Sequence, residues 1–191
     1  MSGRLEVVCG PVGSGKSKEI ERIVSTLKHV HVPFLVFKPE FKHSSDIGEH
    51  VIKSSVDKKG VDFMLHIAEK FPDTETIIID GANFYTSDII DAVEKWVKAN
   101  RVICVGLDTD FSGKPFATMA MLMAMADDVT KLKGICAVCK KPATKSQLVE
   151  IDEKAPDEII EFSAFYEPRC RKCHKVPQYK PSEKLRWIMD R

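Results

Sequence analysis

The sequence predicts an α/β protein in which a mostly parallel sheet is flanked by helices. Short apolar runs typical of strands alternate with stretches whose apolar residues recur at helical spacing. The run Thr76–Asp80 is apolar on both faces, as expected of a central strand in a parallel sheet. A glycine-rich loop of the form G-x-x-x-x-G-K-S joins the first predicted strand to the first predicted helix. These features together predict one main domain built around that loop.

The bulk composition is that of an ordinary globular chain. It has 191 residues, 43% of them hydrophobic, which is enough for a packed core and too much for a disordered chain. With 29 basic and 28 acidic residues, the net charge of +1 gives no electrostatic argument for nucleic-acid or membrane binding. No apolar run approaches the ~20 residues of a transmembrane helix. Strand-like sequence begins too close to Met1 for a signal peptide, so we expect a cytoplasmic protein.

The glycine-rich loop indicates phosphate binding. Glycine reaches positive φ without a steric clash, so the loop can wrap a phosphate with its amides pointing inward. The amides lie at the amino terminus of the next helix, where the helix dipole favours an anion. We expect Lys16 to reach the β- and γ-phosphates of a nucleoside triphosphate and Ser17 to ligate Mg²⁺. The loop comprises Gly10, Pro11, Val12, Gly13, Ser14, Gly15, Lys16 and Ser17.

The first half of the chain is predicted to contain three strands and two helices. Short apolar runs predict strands at 5–9, 34–37 and 76–80. A helix begins within the glycine-rich loop, and a second is predicted at 61–71 from apolar residues on one helical face. The polar stretch 38–60 before it is predicted to be a long loop, and loops of that length are usually functional or mobile.

The second half continues the alternation. Ser87 is well placed to cap an amphipathic helix, which is followed by a predicted strand at 101–107. A loop at 108–114 then leads to a methionine-rich helix that Pro115 is well placed to open. A fifth strand is predicted at 129–132.

Asp80 is the second predicted anchor for Mg²⁺. It ends a strand of four apolar or β-branched residues, as in a Walker B strand. An aspartate at the carboxyl end of a strand beside a phosphate loop can hold Mg²⁺ through water or a hydroxyl group. An ordinary strand-ending aspartate is the alternative, and the upstream loop favours the Mg²⁺ role.

Four of the six cysteines form two C-x-x-C pairs, and in a reducing compartment such pairs more often bind metal than form disulfides. Four thiolates in tetrahedral geometry make a closed structural zinc site, with no open position for catalysis. His174 is an alternative to Cys173 as fourth ligand, and we favour the symmetric site. We therefore divide the chain into a nucleotide-binding domain, 1–133, and a zinc-binding lasso subdomain with a C-terminal tail, 134–191. The four predicted ligands are Cys136, Cys139, Cys170 and Cys173.

Taken together, these motifs resemble the thymidine kinase family of the zinc-containing, tetrameric type. The most specific match is Gly-Leu-Asp-Thr-Asp-Phe at 106–111 with Lys-Pro-Phe at 114–116. The phosphate loop, Asp80 with Phe84, and both cysteine pairs also match, so the resemblance covers nearly the whole chain up to His174.

The resemblance implies an enzyme that transfers the γ-phosphate of ATP to the 5′-hydroxyl of thymidine or deoxyuridine, with Mg²⁺ and Zn²⁺ as cofactors. It implies catalytic roles for Lys16 and Asp80, and a lasso between the cysteine pairs that folds over the nucleoside. It also implies a homotetramer, while the balanced charge of the chain indicates no nucleic-acid or membrane partner. The implied nucleoside-binding residues are Leu107, Phe111, Phe116, Phe162 and Tyr166.

The chain departs from the family pattern at several positions, and the departure that bears most on catalysis is at residue 81. Where the family has Asp-Glu-x-Gln-Phe, this chain has Asp-Gly-Ala-Asn-Phe, so the presumed general base is replaced by Gly81. Two alternatives to the nucleoside kinase follow from this. One is a catalytically impaired or non-catalytic nucleotide-binding relative. The other is a kinase whose acceptor is a nucleotide phosphate, because an ionised acceptor needs no base.

Overall fold

A computed structural model describes residues 3–40, 51–151 and 164–176. Its main sheet consists of β1 (Arg4–Cys9), β2 (Phe34–Pro39), β3 (Val51–Ser54), β4 (Thr76–Asp80), β5 (Arg101–Gly106) and β6 (Asp128–Lys131). The strand order is β3-β2-β4-β5-β1-β6, and every neighbouring pair is parallel. The predicted α/β fold with a parallel sheet is confirmed.

The described helices pack on both faces of this sheet. They are α1 (Lys16–His29), α2 (Lys58–Lys70), α3 (Asp88–Trp96), α4 (Ala117–Met125) and a short 3₁₀ helix (Ala82–Phe84). Successive strand residues point to opposite faces, so Ile77 and Ile79 join a core with α2, α3 and α4, whereas Ile78 faces α1. Within the described ranges, no helix has the length and apolar character needed to cross a membrane.

Part of the stretch predicted as a long loop, 38–60, is ordered secondary structure, so that prediction is wrong in part. Val51–Ser54 forms the edge strand β3, parallel to β2. Helix α2 begins at Lys58, earlier than predicted, because the Asp57 carboxylate accepts a hydrogen bond from the Gly60 amide at 3.0 Å and caps it. The predicted loop also includes 41–50, which lies outside the described residues.

Two predicted helix starts also differ in detail. Pro115 does not open α4: it forms an isolated antiparallel bridge with Thr109, and the helix begins at Ala117. Ser87 stands at the start of α3, but its side chain makes no capping hydrogen bond. The neighbouring Thr86 hydroxyl instead donates to the Asp88 carboxylate at 2.8 Å.

The cysteine-bearing part of the chain forms two small antiparallel pairs. Strand β7 (Gly134–Ile135) pairs with β8 (Pro142–Ala143), and β9 (Lys145–Ile151) pairs with β10 (Ala164–Arg169). The Ser146 hydroxyl of β9 accepts a hydrogen bond from the Val12 amide at 3.1 Å. This bond connects the small sheet to the glycine-rich loop. The domain boundary at residue 133 stays a prediction.

Candidate active site

The glycine-rich loop joins β1 to α1 and has the backbone conformation that its glycines allow. Gly13 and Gly15 have φ values of +72° and +91°, in the left-handed region. A Cβ at Gly15 would meet no atom within 4 Å, so backbone conformation rather than space requires glycine there. Lys16 folds back along the loop, and its Nζ donates to the carbonyl oxygens of Gly10 at 2.9 Å and Pro11 at 2.7 Å. Its ammonium group therefore lies inside the loop that would surround a phosphate.

The strand order determines how far Asp80 lies from the loop. Strand β5 separates β4 from β1: Asp80 pairs in register with Val105, and Cys9 pairs with Gly106. Asp80 therefore shares the carboxyl edge of the sheet with the loop but stands two strands from it. Its side chain is 3% exposed and forms an ion pair with Lys38, itself 1% exposed, with 3.3 Å between Nζ and Oδ2.

A buried polar layer surrounds this ion pair. The hydroxyl groups of Ser54 and Tyr85 are hydrogen-bonded at 2.8 Å, at the ends of β3 and the 3₁₀ helix. Burial raises the pKa of the Tyr85 phenol well above its usual range, and the negative charges of Asp80 and Glu40 add to the effect. The phenol is therefore neutral and available as a hydrogen-bonding group only.

Gly81 occupies a backbone position made for glycine. Its φ is +80°, and an added Cβ would lie 3.1 Å from a ring carbon of Phe84 and 3.2 Å from Cγ of Pro39. The position where the family pattern has glutamate thus combines a left-handed backbone conformation with little space for a side chain. Any side chain at this position would be strained.

The connection from β5 to α4 is a tight loop held by its own side chains. The Asp110 carboxylate accepts hydrogen bonds from the Ser112 hydroxyl at 2.8 Å and the Lys114 amide at 2.9 Å. The start of the loop is fixed by Asn83, whose side-chain oxygen accepts from the Leu107 amide at 3.0 Å. This framework buries the rings of the two phenylalanines that the sequence indicated, Phe111 and Phe116.

These residues enclose a cavity of about 130 Å³ next to the glycine-rich loop. Four of the five predicted nucleoside-binding residues line it, and Phe162 lies outside the described residues. Sequence reasoning missed Ser146, which reaches the cavity from β9 and gives no signal of its own in the sequence. The predicted residues that line the cavity, with Val12 of the loop, are Leu107, Phe111, Phe116 and Tyr166.

A larger cavity, of about 730 Å³, lies at the opposite end of the sheet. It is bounded by the end of α1, the start of β2 and the segment that follows α2, with Leu27, Phe34 and Phe71 in its wall. None of the predicted site residues that the structure describes lines it. Parallel α/β sheets bind ligands at the carboxyl ends of their strands, so the smaller cavity is the candidate site.

The four predicted metal ligands come together. The Sγ atoms of Cys136, Cys139, Cys170 and Cys173 all lie within 4.8 Å of one another, and those of Cys139 and Cys170 are 3.6 Å apart. A tetrahedral zinc site with Zn–S bonds of about 2.3 Å has sulfur atoms about 3.8 Å apart, so the arrangement fits zinc. The His174 Nε2 instead donates to the Phe111 carbonyl oxygen at 2.8 Å, away from the cluster.

The charge state of the cluster also suits a cation. Backbone amides, chiefly that of Cys139, lower the pKa of the Cys136 thiol to about 6. Hydrogen bonding with the Cys170 and Cys139 thiols raises the pKa of Cys173 to about 12. Without a metal the four sulfurs therefore cannot all be thiolates at neutral pH, whereas a bound divalent ion would favour full deprotonation.

One comparison with known proteins bears on this site. A family model described as thymidine kinase matches residues 3–174. The match spans the glycine-rich loop, Asp80, the residues around the small cavity and both cysteine pairs.

Proposed function

The chain belongs to the thymidine kinase family, and we propose that it transfers the γ-phosphate of ATP to the 5′-hydroxyl of thymidine or a closely related deoxynucleoside. The observation that supports this most strongly is that an aromatic-lined cavity adjoins a phosphate-binding loop, with Val12 belonging to both. A nucleoside in the cavity would present its sugar to the loop. Phosphoryl transfer depends mainly on such positioning and on charge stabilisation.

The loop residues would hold the triphosphate. When bound, ATP supplies the phosphoryl group and Mg²⁺ neutralises charge on the phosphates. The Lys16 ammonium would exchange its contacts with the Gly10 and Pro11 carbonyls for phosphate oxygens, and it would stabilise the negative charge that shifts during transfer. Ser17, exposed at the start of α1, would offer its hydroxyl to Mg²⁺. The sequence pattern assigns Asp80 to Mg²⁺ as well.

The cavity residues would hold the nucleoside. The rings of Phe111 and Phe116 offer flat apolar faces for a pyrimidine, and Tyr166 adds a ring with a polar tip. Backbone groups of the lasso, which includes Phe162, would read the edge of the base. Discrimination by hydrogen bonds is strong because a wrong base leaves buried polar groups unpaired.

A kinase with an anionic acceptor is the second candidate, and Gly81 favours it. A nucleoside hydroxyl must lose a proton during transfer, and a positioned base typically contributes about 10²–10⁴-fold. A nucleotide phosphate is already ionised and needs no such base. The left-handed backbone at Gly81 shows that the position is shaped for glycine.

The decisive experiment is to incubate the purified protein with Mg-ATP and single acceptors, and to look for the phosphorylated product. We expect product with thymidine or deoxyuridine. Product only with their 5′-monophosphates would favour the second candidate. ATP binding without product from any acceptor would indicate a non-catalytic relative. Lys16→Ala protein serves as the background control.

Gly81→Glu and Gly81→Ala form a matched pair that separates strain from chemistry. Both add a Cβ to the same crowded, left-handed position, but only glutamate adds a carboxylate. If the enzyme acts on a nucleoside without a base, the glutamate variant should be faster than the alanine variant, by up to about 10²–10⁴-fold. A glutamate variant that folds but is no faster than the alanine variant would show that Gly81 is not a missing base.

We also propose one structural zinc ion per chain at the four cysteines, a homotetramer, and a cytoplasmic location. Elemental analysis of protein purified without chelator tests the first, and sedimentation of the same protein tests the second. Protein without zinc, or a stable monomer at assay concentration, would contradict them. Fractionation of cells tests the location.

A further inference from the structure

Two separate parts of the chain form walls of the cavity beside the phosphate loop. One wall is the loop that follows β5, in which Thr109, Asp110 and Phe111 line the cavity in succession. The other wall includes Ser146 of β9 and Tyr166 of β10. A nucleoside bound in the cavity would contact both walls, so the gap between them affects how well it is held.

His174 connects these two parts of the chain. It directly follows the predicted zinc ligand Cys173, and its Nε2 donates to the Phe111 carbonyl oxygen at 2.8 Å. A carbonyl oxygen only accepts, so the hydrogen lies on Nε2. The imidazole therefore holds the backbone of a residue whose side chain forms part of the cavity wall.

The backbone on both sides of the His174 ring is attached to the cysteine-bearing segment. The His174 amide donates to the Cys170 carbonyl oxygen at 2.9 Å, within the turn of the second cysteine pair. The next amide, that of Lys175, donates at 2.8 Å to the side-chain oxygen of Gln147, a buried residue of β9. These bonds give the ring a defined place relative to both β9 and the cysteine turn.

A second contact joins the same two parts, but it is longer. The Lys145 Nζ lies 3.4 Å from the Gly113 carbonyl oxygen, beyond the usual range of about 2.7–3.2 Å. Gly113 also lies against both side chains, because an added Cβ would be 3.4 Å from the Lys145 Nζ and 3.9 Å from the His174 Cε1. By its distance, the bond from His174 is the stronger of the two contacts.

Hydrogen bonds within the loop have a different effect. The Asp110 amide donates to the Lys114 carbonyl oxygen at 2.9 Å, and the Gly113 amide donates to the Asp110 carbonyl oxygen at 3.1 Å. These bonds define the shape of the loop but not its distance from β9. The bond from His174 defines that distance at Phe111.

We propose that His174 is a positioning residue for the nucleoside: by holding the Phe111 carbonyl oxygen, it sets the gap between the two cavity walls. This inference rests on the proposed function, because it takes the cavity as the acceptor site. The bond joins no residue of the phosphate loop, so ATP binding should not depend on it. It also connects the second cysteine pair to the cavity, because the His174 amide belongs to that turn.

Two replacements of His174 in the full chain separate the hydrogen bond from the bulk of the ring. Glutamine places an N–H donor about as far along the side chain as Nε2, whereas leucine has no donor. In isothermal titration calorimetry, His174→Leu should bind thymidine about 3–10-fold more weakly than wild type, the usual effect of one lost hydrogen bond. His174→Gln should bind thymidine almost as tightly as wild type. All three proteins should bind a non-hydrolysable ATP analogue equally well.

Hydrogen exchange gives a measurement that needs no ligand. The amides of Gly113 and Lys114 are hydrogen-bonded within the loop, so their exchange reports its order. Exchange in 108–116 should be faster in His174→Leu than in wild type, and His174→Gln should restore the slower rate. Lys172→Met is the control, because Lys172 is exposed in the same cysteine turn, and this variant should match wild type in both measurements.

The possible outcomes are distinguishable. A His174→Leu protein with wild-type thymidine affinity, or with an equal loss of affinity for the ATP analogue, would overturn the inference and leave the proposed function intact. A glutamine variant that folds but is as weak as the leucine variant would also overturn it, because the donor would then not matter. Wild-type protein that binds the ATP analogue but no thymidine would overturn both. Circular dichroism of each variant confirms that folded proteins are compared.

Discussion

Replacing Lys38 by methionine should lower the free energy of unfolding by about 3–5 kcal/mol, because removing one partner of a buried ion pair leaves the other charge buried. Two features of the Lys38–Asp80 pair support an effect of this size rather than the much smaller effect of a surface ion pair. The two side chains are 1% and 3% exposed, and their charged atoms are 3.3 Å apart, so solvent screens them little. Methionine preserves most of the volume of lysine, so the loss reports the charge rather than a cavity.

In a chain of this size, 1 kcal/mol shifts the melting temperature by about 2–4 °C, so the Lys38→Met variant should melt about 6–20 °C lower. Urea unfolding followed by circular dichroism gives the free energy directly. Lys58→Met is the control, because Lys58 is 70% exposed and its carboxylate partners on the surface, Asp62 and Asp88, lie at 3.6 and 3.7 Å. Exposed pairs of that kind contribute about 0–1 kcal/mol.

The double variant Lys38→Met/Asp80→Leu completes the test. Replacing both members of a buried pair by apolar residues is often neutral, so the double variant should regain much of the stability that the single variant loses. A Lys38→Met protein no less stable than Lys58→Met would refute the reasoning. It would mean that the buried Asp80 carboxylate is stabilised by other groups at little cost.

Three further outcomes are expected. Lys16→Ala should abolish useful ATP turnover in steady-state assays and leave the chain folded, because the Lys16 Nζ, held inside the loop by the Gly10 and Pro11 carbonyl oxygens, supplies positive charge where negative charge shifts during transfer; near-normal turnover would exclude a role in transfer. Chelation of zinc should speed hydrogen exchange in the cysteine-bearing strands and spare the main sheet; equal protection with and without chelator would contradict this. Burial alone would raise the pKa of Glu6, but hydrogen bonds and charge attraction from Arg101 and Arg4 together lower it from its ordinary value of 4.5. A carboxyl group whose pKa is lower in the folded than in the unfolded state stabilises the fold at pH values above the unfolded-state pKa, and this stabilisation is lost in acid. The wild-type protein should therefore have a larger free energy of unfolding than Glu6→Gln at pH 7 and lose that advantage below about pH 4.5. A difference between the two proteins that does not change with pH would contradict this prediction.

The sequence predicted most of the fold because its strands are apolar and its helices amphipathic. The run Thr76–Asp80 is buried along its whole length, as a central parallel strand requires. The edge strand β3 was missed because it is four residues long, only partly buried, and contains the exposed Lys53. Such a strand has little hydrophobic signal, and its pairing with β2 is a property of the assembled sheet.

The site was predictable where a local motif defines it. The phosphate loop and the paired cysteines have fixed spacings that follow from phosphate and zinc geometry. Phe111 and Phe116 were identified only through the family resemblance, because without it core packing is the better explanation of two phenylalanines in that segment. Ser146 gives no local signal, since it reaches the cavity from a strand more than a hundred residues beyond the loop that it contacts.

Asp80 and Asp108 show what a local sequence pattern leaves out about the position of a side chain in the fold. An apolar strand that ends in aspartate indicates an acid at the carboxyl edge of the sheet, which is where Asp80 lies. The pattern does not contain the order of the strands, and here β5 stands between β4 and β1. The strand that adjoins the phosphate loop is therefore followed by Asp108, a residue within a segment that the sequence indicates for nucleoside binding. How far a strand-ending carboxylate lies from the phosphate loop is thus decided by strand order, and strand order arises from packing across the whole sheet rather than from any single motif.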